Sequence, residues 1–220
     1  MSVLSLFGTG IYEVVAWGLD PLGVHAALND GQSMNVVPKV ASALINGGVW
    51  LIFGKYCRSV EVGDRKTLPS WLYGVAPIGG VFTFAQWIFW WWPYLLGETA
   101  GTINMQTEHK AQLSQLPRVL PAFGNHLVPD IEHTFLQPLS LLALYTFTCT
   151  LASKKISVTR NQRNIFTISS LLFATMQSAF IITSDAPATE IGPMLVVTKI
   201  LLWSLYVRQN LNVVDDTKLE

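Results

Sequence analysis

The sequence predicts an all-α membrane protein, a polytopic bundle of six to seven transmembrane helices that forms one integral domain over residues 1–220. Half of the residues are hydrophobic, only 13% are charged, and the mean hydropathy is positive at +0.39. Several apolar runs can each cross a hydrocarbon core of about 30 Å at about 1.5 Å per helical residue. The formal net charge is zero, which gives no indication of a nucleic-acid partner.

Six runs have the length and apolarity of membrane spans. They cover residues 3–19, 37–54, 73–96, 134–152, 165–184 and 191–207. We interpret the first as a retained span, because it lacks a basic leading region and contains Glu13. The third ends in the aromatic sequence VFTFAQWIFWWWPY. Its tryptophans are expected to anchor a helix end at the membrane interface, or alternatively to turn inward with Gln86 and line a pocket.

A further segment, residues 113–133, is predicted to be broken or re-entrant. It contains Pro117, Pro121 and Pro129 together with Arg118 and His126. Such irregular backbone is tolerated at membrane depth only where protein or a water-filled cavity surrounds it. We therefore favour six complete spans plus this broken element, with a seven-span bundle as the alternative.

The distribution of Lys and Arg predicts the orientation. Of fourteen basic residues, four lie in residues 55–71, four in residues 153–164 and two in the tail 208–220. Basic connections are typical of the cytosolic side. With six spans all three segments face the cytosol, and the tail 208–220 is a cytosolic tail, whereas a seventh complete span would separate the two basic loops.

Eight of the fourteen acids then fall on the opposite face, namely Asp20, Asp30, Glu98, Glu108, Asp130, Glu132, Asp185 and Glu190. Ionisable residues inside a span cost at least about 2.5 kcal/mol each, so they usually face a bundle interior. Glu13 and Lys199 are such residues. A carboxyl group such as that of Glu13 keeps its proton in a dry site and can act as a general acid. The alternative is a structural pair with Lys199, or a lysine that reaches to the interface.

The sequence VPDIEHTF places Asp130, Glu132 and His133 within four residues. Residues three apart share a helical face, so Asp130 and His133 are the natural pair, one acting as acid or base and the other orienting it. The alternative is a polar cap before a span that begins at Thr134. Asp185 similarly either caps a helix or points into the bundle as the second carboxylate of an acid and base pair.

Aromatic and polar side chains near these acids are candidate substrate contacts. The faces of Trp17, Trp50 and Trp87 are expected to shield a cationic intermediate, and Gln86 and Asn46 are assigned as polar contacts. No metal is expected, because the histidines lack ligand spacing and no HExxH motif occurs.

The segment LPRVLPAFGNHLVPDIEHTF, followed by LQP at residues 136–138, resembles the LP-x-x-LPA…VP segment before a QP-led span in fungal secondary-metabolite membrane proteins. These are the membrane-bound terpene cyclases of ascofuranone type and related epoxide-opening cyclases or hydrolases. The resemblance covers about 25 residues. This chain departs from the pattern at Asn125, His126, Asp130, Glu132 and His133, which leaves the substrate and the roles of these residues open.

The resemblance implies an enzyme of the endoplasmic-reticulum membrane that acts on a lipophilic polyketide or isoprenoid epoxide without a bound cofactor. Expected partners are the epoxide, membrane lipid and other enzymes of a biosynthetic pathway, including a separate oxygenase that makes the epoxide. Related paxilline-type cyclases use membrane-embedded acids, which do not align residue by residue with this chain. The alternatives are a non-catalytic sterol- or lipid-binding protein and a small transporter.

Overall fold

The computed structural model describes residues 3–21, 36–97, 116–124, 126–183 and 191–214. These residues form six helices: α1 (Leu4–Leu19), α2 (Val36–Glu61), α3 (residues 70–96), α4 (Ile131–Leu151), α5 (Arg160–Thr183) and α6 (Ile191–Asn210). The described part contains no strand, only an isolated parallel bridge between Val158 and Val213. The all-α prediction is therefore confirmed for these residues.

The number of membrane spans is not confirmed. A helix occupies each predicted run, but among the described residues only α2 and α4 are long and apolar enough to cross a membrane by length and composition, while α1 is a shorter apolar helix. Tryptophan, tyrosine, glutamine and proline lower the hydropathy at the end of α3.

The part of the chain before α4 is irregular over residues 116–124 and 126–130. Tyr94, near the end of α3, contacts this segment twice. Its hydroxyl donates to the Pro121 carbonyl at 3.1 Å, and its carbonyl oxygen lies 2.9 Å from His126 Nδ1. The Ile131 amide donates to the Pro117 carbonyl at 2.9 Å. Other groups of the protein thus form hydrogen bonds with some of the backbone carbonyl groups of this irregular segment.

The three basic segments meet at one end of the bundle. The Ser157 amide donates to the Lys66 carbonyl at 2.8 Å, which joins the α4–α5 connection to the α2–α3 connection. The Val158 amide donates to the Asn212 carbonyl at 3.0 Å, which adds the chain after α6. We call this the basic end, and the opposite end, where α4 begins, the acid end.

An apolar core fills the half of the bundle nearer the basic end. Phe53 of α2 stacks on Phe147 of α4 with ring centroids 4.0 Å apart. Trp50 is fully buried there and packs edge-on against Phe53 and Phe82. The buried residues Glu13, Asp130, Glu132 and His133 therefore occupy a different part of the bundle from its main apolar core.

Helices α1 and α2 approach most closely at two glycines. A Cβ atom on Gly47 would lie 2.7 Å from the Gly10 carbonyl oxygen and 2.5 Å from Val14 Cγ2. A Cβ atom on Gly10 would lie 2.9 Å from the Gly47 carbonyl oxygen. Small residues allow this close backbone approach between helices, which is the usual way that membrane helices pack.

Gly47→Ala is expected to destabilise the protein, because its methyl group meets backbone that cannot move without separating α1 from α2. Overpacking of this kind costs about 1–3 kcal/mol. Thermal unfolding in detergent measures the effect. Gly48→Ala is the matched control, since nothing lies within 4 Å of its added Cβ, and the methyl group there improves helix propensity. Equal midpoints of thermal unfolding for the two variants would contradict the close approach of α1 and α2 at Gly47.

Candidate acid–base site

The beginning of α4 holds a buried carboxylate–imidazole pair. Asp130 is the N-cap, and its Oδ1 accepts the His133 amide at 3.0 Å. Its Oδ2 lies 2.7 Å from His133 Nδ1. Burial opposes ionisation of Asp130, but the hydrogen bonds and charge of His133 outweigh burial and lower the pKa of Asp130. The helix begins at Ile131, three residues before the predicted start, because Asp130 caps it and so brings the pair together.

Helix α1 brings Glu13 to the same place. The Glu13 side chain interacts electrostatically with Glu132, and the Tyr12 hydroxyl donates to the Glu132 carbonyl at 3.2 Å. Trp17 forms a side-chain hydrogen bond with the Glu13 carboxyl group, whose Oε1 has no hydrogen-bond partner among the described residues. Glu13, Asp130, Glu132 and His133 are 1%, 1%, 4% and 8% exposed. We call these four side chains the acid cluster.

After α4 and α1, helix α3 is the third helix that contributes side chains next to the acid cluster. A π-helical turn at Trp87–Trp91 interrupts this helix, and π-helical turns occur frequently at functional sites. Trp90 stacks on His133 with ring centroids 3.7 Å apart and an angle of 21° between the rings. The tryptophans of this turn therefore pack against α4, as the inward-facing alternative requires, and not solely at a membrane interface.

Gln137, one helical turn after His133, fixes the contact between α3 and α4. It is fully buried. Its Oε1 accepts the Trp91 indole N–H at 2.6 Å, its carbonyl accepts the Trp87 indole N–H at 3.3 Å, and its Nε2 donates to Gln86 Oε1 at 3.3 Å. Gln86 and Trp87 thus lie beside the acid cluster, linked to it through α4.

Trp91→Phe is expected to lower stability, because it removes the indole donor and leaves Gln137 Oε1 buried without that partner. An unsatisfied buried polar group costs about 1–3 kcal/mol. The midpoint of thermal unfolding in detergent measures the loss. Trp71→Phe is the control, since Trp71 is exposed. A fall no larger than that of the control would show that the Trp91 bond contributes little.

The remaining predicted site residues are dispersed. Trp17 contacts Glu13, whereas Trp50 lies in the apolar core. Asn46 is half-buried in a second π-helical turn, Ala43–Gly47, which packs against α1. Asp185 lies outside the described residues. Lys199 is on α6, which packs mainly against α3 and α5. Glu13 is on α1, which packs mainly against α2 and α4. The structure therefore does not support a structural pair of Glu13 with Lys199.

Three residues of the site were missed by sequence reasoning. Tyr12 interacts electrostatically with Glu132, Asp130 and Glu13, and its position next to Glu13 in the chain was the only signal. Trp90 is one of several neighbouring tryptophans, and the sequence did not distinguish it from the others. Gln137 stood out as a lone amide in an apolar run, which is a signal that a buried polar contact exists.

A cavity of about 230 Å³ lies away from this cluster, at the basic end, and a set of mixed polar and apolar residues lines it. These are Val3, Cys57, Val60, Glu61, Thr146, Cys149, Thr150, Ser153 and Lys155. In the described part of the chain, no group of three or more His, Cys, Asp or Glu residues is placed to hold a metal ion.

The fold and the site together define an all-helical protein with buried carboxyl groups and an imidazole drawn from two helices and walled by tryptophans. No protein-family model, curated protein or solved structure matches the chain.

Proposed function

We propose that this chain is a multi-pass enzyme of the endoplasmic-reticulum membrane that opens an epoxide of a lipophilic polyketide or isoprenoid by acid initiation, giving a cyclised or hydrolysed product. The observation that carries the proposal is the approach of buried Glu13 on α1 to Glu132 on α4, next to the buried Asp130–His133 pair at the start of the same helix. A carboxylic acid and a carboxylate-oriented imidazole are the donor and acceptor that such a reaction needs.

The distribution of apolar residues supports placement in a membrane. Four helices carry large apolar side chains on their outer faces, among them Val37, Leu44, Leu141, Leu142, Ile168, Leu171, Leu172, Leu202 and Leu205. Only 22% of the most apolar window of α2 is buried, unlike the core helix of a water-soluble protein. Exposed apolar surface of this extent is typical of contact with lipid. The clustering of the basic connections at one end supports a cytosolic position for that end.

Charge and burial assign the roles. Glu13 is buried with an Oε1 that no described residue engages, and a carboxyl group in such a place keeps its proton. Asp130 is ionised, because the hydrogen bonds from His133 favour its charged form. Glu13 is therefore the proton donor, His133 the acceptor, and Asp130 the group that orients His133 and balances its charge.

The reaction then runs in balanced steps. The Glu13 proton moves to the epoxide oxygen as the C–O bond to the more substituted carbon breaks, and positive charge develops on that carbon. An alkene, a hydroxyl oxygen or a water molecule of the substrate complex forms a new bond to it. The proton released at the end passes to His133. His133 then gives a proton to solvent and Glu13 takes one up from solvent, which restores the starting state of both groups. Faces of neighbouring tryptophans stabilise the cation.

The proposal is tested by incubating microsomes that contain the protein with farnesol epoxidised at its last double bond, the farnesol epoxide. Mass spectrometry is expected to show an isomer or a diol that microsomes without the protein do not form. Binding of the epoxide with no product would favour a non-catalytic lipid-binding protein. Uptake into sealed vesicles with no product would favour a transporter.

A further inference from the structure

The contact between Trp90 and His133 is the closest aromatic stack in the described part of the chain. The ring centroids are 3.7 Å apart and the planes are inclined by 21°. A nearly parallel stack of this kind places the imidazole over the electron-rich face of an indole, which stabilises the ring once it takes up a proton.

The groups around His133 act in the same direction. Asp130 meets the edge of the imidazole, with its Oδ2 2.7 Å from His133 Nδ1. From α1, Tyr12 interacts electrostatically with Asp130 and Glu132, and its hydroxyl donates to the Glu132 carbonyl at 3.2 Å. The wall from α3 is the uncharged Trp90. An imidazolium at this position is therefore stabilised by a carboxylate at its edge and by an indole at its face.

The π-helical turn explains how Trp90 reaches this position. Trp87 and Trp91, on either side of it, both donate to Gln137. Gln137 follows His133 by four residues, which is one turn on the same face of α4. The two indole hydrogen bonds therefore set the register of α3 against α4 and direct the Trp90 ring onto His133.

We propose that Trp90 is a positioning residue, whose indole face holds the His133 ring against Asp130 and stabilises the imidazolium form that His133 adopts on accepting the proton. Its effect on turnover rests on the proposed function. Its effect on the protonation of His133 does not, because the stack is present without substrate.

Nitrogen NMR of protein with isotopically labelled histidine, in lipid nanodiscs at neutral pH, tests the stack directly. The His133 signal is assigned by its loss in His133→Asn. Trp90→Leu is expected to lower the ratio of imidazolium to imidazole about three- to tenfold, the range that loss of a cation–π contact gives, and Trp90→Phe is expected to restore most of it. Trp92→Leu is the control, because Trp92 packs against a separate small cluster with Ile88 and Ile200.

A fluorinated tryptophan at position 90 keeps the shape of the ring and withdraws electrons from its face. It is expected to lower the same ratio, which covers the case in which Trp90→Leu fails to fold. An unchanged ratio in the fluorinated protein overturns the proposal.

With the farnesol epoxide as probe, Trp90→Leu is also expected to lower kcat more than it raises KM and to shift the pH profile of kcat. Trp92→Leu is expected to leave that profile in place. If the wild-type protein opens no epoxide, the proposed function fails while the nitrogen spectra still decide the role of Trp90. If turnover is present and the ratio is insensitive to the ring at position 90, only the role of Trp90 fails.

Discussion

Glu13→Gln is expected to reduce epoxide opening about a hundred- to ten-thousand-fold, the contribution typical of a positioned general acid. The amide keeps the size of the side chain and still accepts the hydrogen bond from Trp17. It has no acidic proton to give to the epoxide oxygen. The single-turnover rate of the purified protein in nanodiscs, with the protein in excess over the farnesol epoxide, measures the loss.

Glu61→Gln is the matched control for Glu13. Glu61 is an exposed glutamate at the basic end, where it pairs with Arg58 at 3.0 Å. An exposed ion pair of this kind contributes about 0–1 kcal/mol, so this variant is expected to turn over at the wild-type rate. Wild-type turnover by Glu13→Gln would remove Glu13 from the mechanism.

Asp130→Asn is expected to produce the second large loss, again about a hundredfold or more, because the imidazole loses the charge that orients it and balances its proton. Folding is expected to persist, since asparagine caps a helix about as well as aspartate. Asp130→Ala removes the cap as well and is expected to cost about 1 kcal/mol of additional stability. Single-turnover rates and thermal midpoints separate the two effects. Asp64→Asn, in an exposed loop at the basic end, is the control.

The same residue gives the protein a predictable dependence on pH. The pKa of Asp130 is lower in the folded protein than its ordinary value, so its ionisation contributes stability above that ordinary value, about pH 4. This contribution is lost as the pH falls through the folded-state value. Thermal midpoints of the wild type should therefore fall more steeply below about pH 4 than those of Asp130→Asn. Parallel curves would show that Asp130 is not stabilised by His133.

Local patterns in the sequence predicted the local parts of this structure. Apolar runs located the helices, and the spacing of Asp130 and His133 predicted their pairing, because both depend on residues within one or two turns. The helix start at Ile131 was misplaced by three residues, because the capping function of Asp130 depends on the conformation of the preceding irregular segment.

Contacts between distant parts of the chain were not predictable from pattern. The interaction of Glu13 with Glu132 joins residues more than a hundred positions apart, and the turn of α3 that directs Trp90 inward depends on Gln137. A cluster of tryptophans has the same sequence whether it faces lipid or protein, so the inward orientation required the structure. The resemblance to epoxide-opening cyclases stays a prediction.

The central claim is that a lipophilic substrate binds beside the acid cluster and exchanges protons with it. A farnesol epoxide that carries a photoreactive diazirine tests this most directly, with the adducts mapped by mass spectrometry. The account predicts adducts next to Glu13 and Glu132 and on Trp90, which unlabelled epoxide prevents. Adducts confined to outward-facing residues such as Leu141 and Leu202, insensitive to competing epoxide, would contradict it.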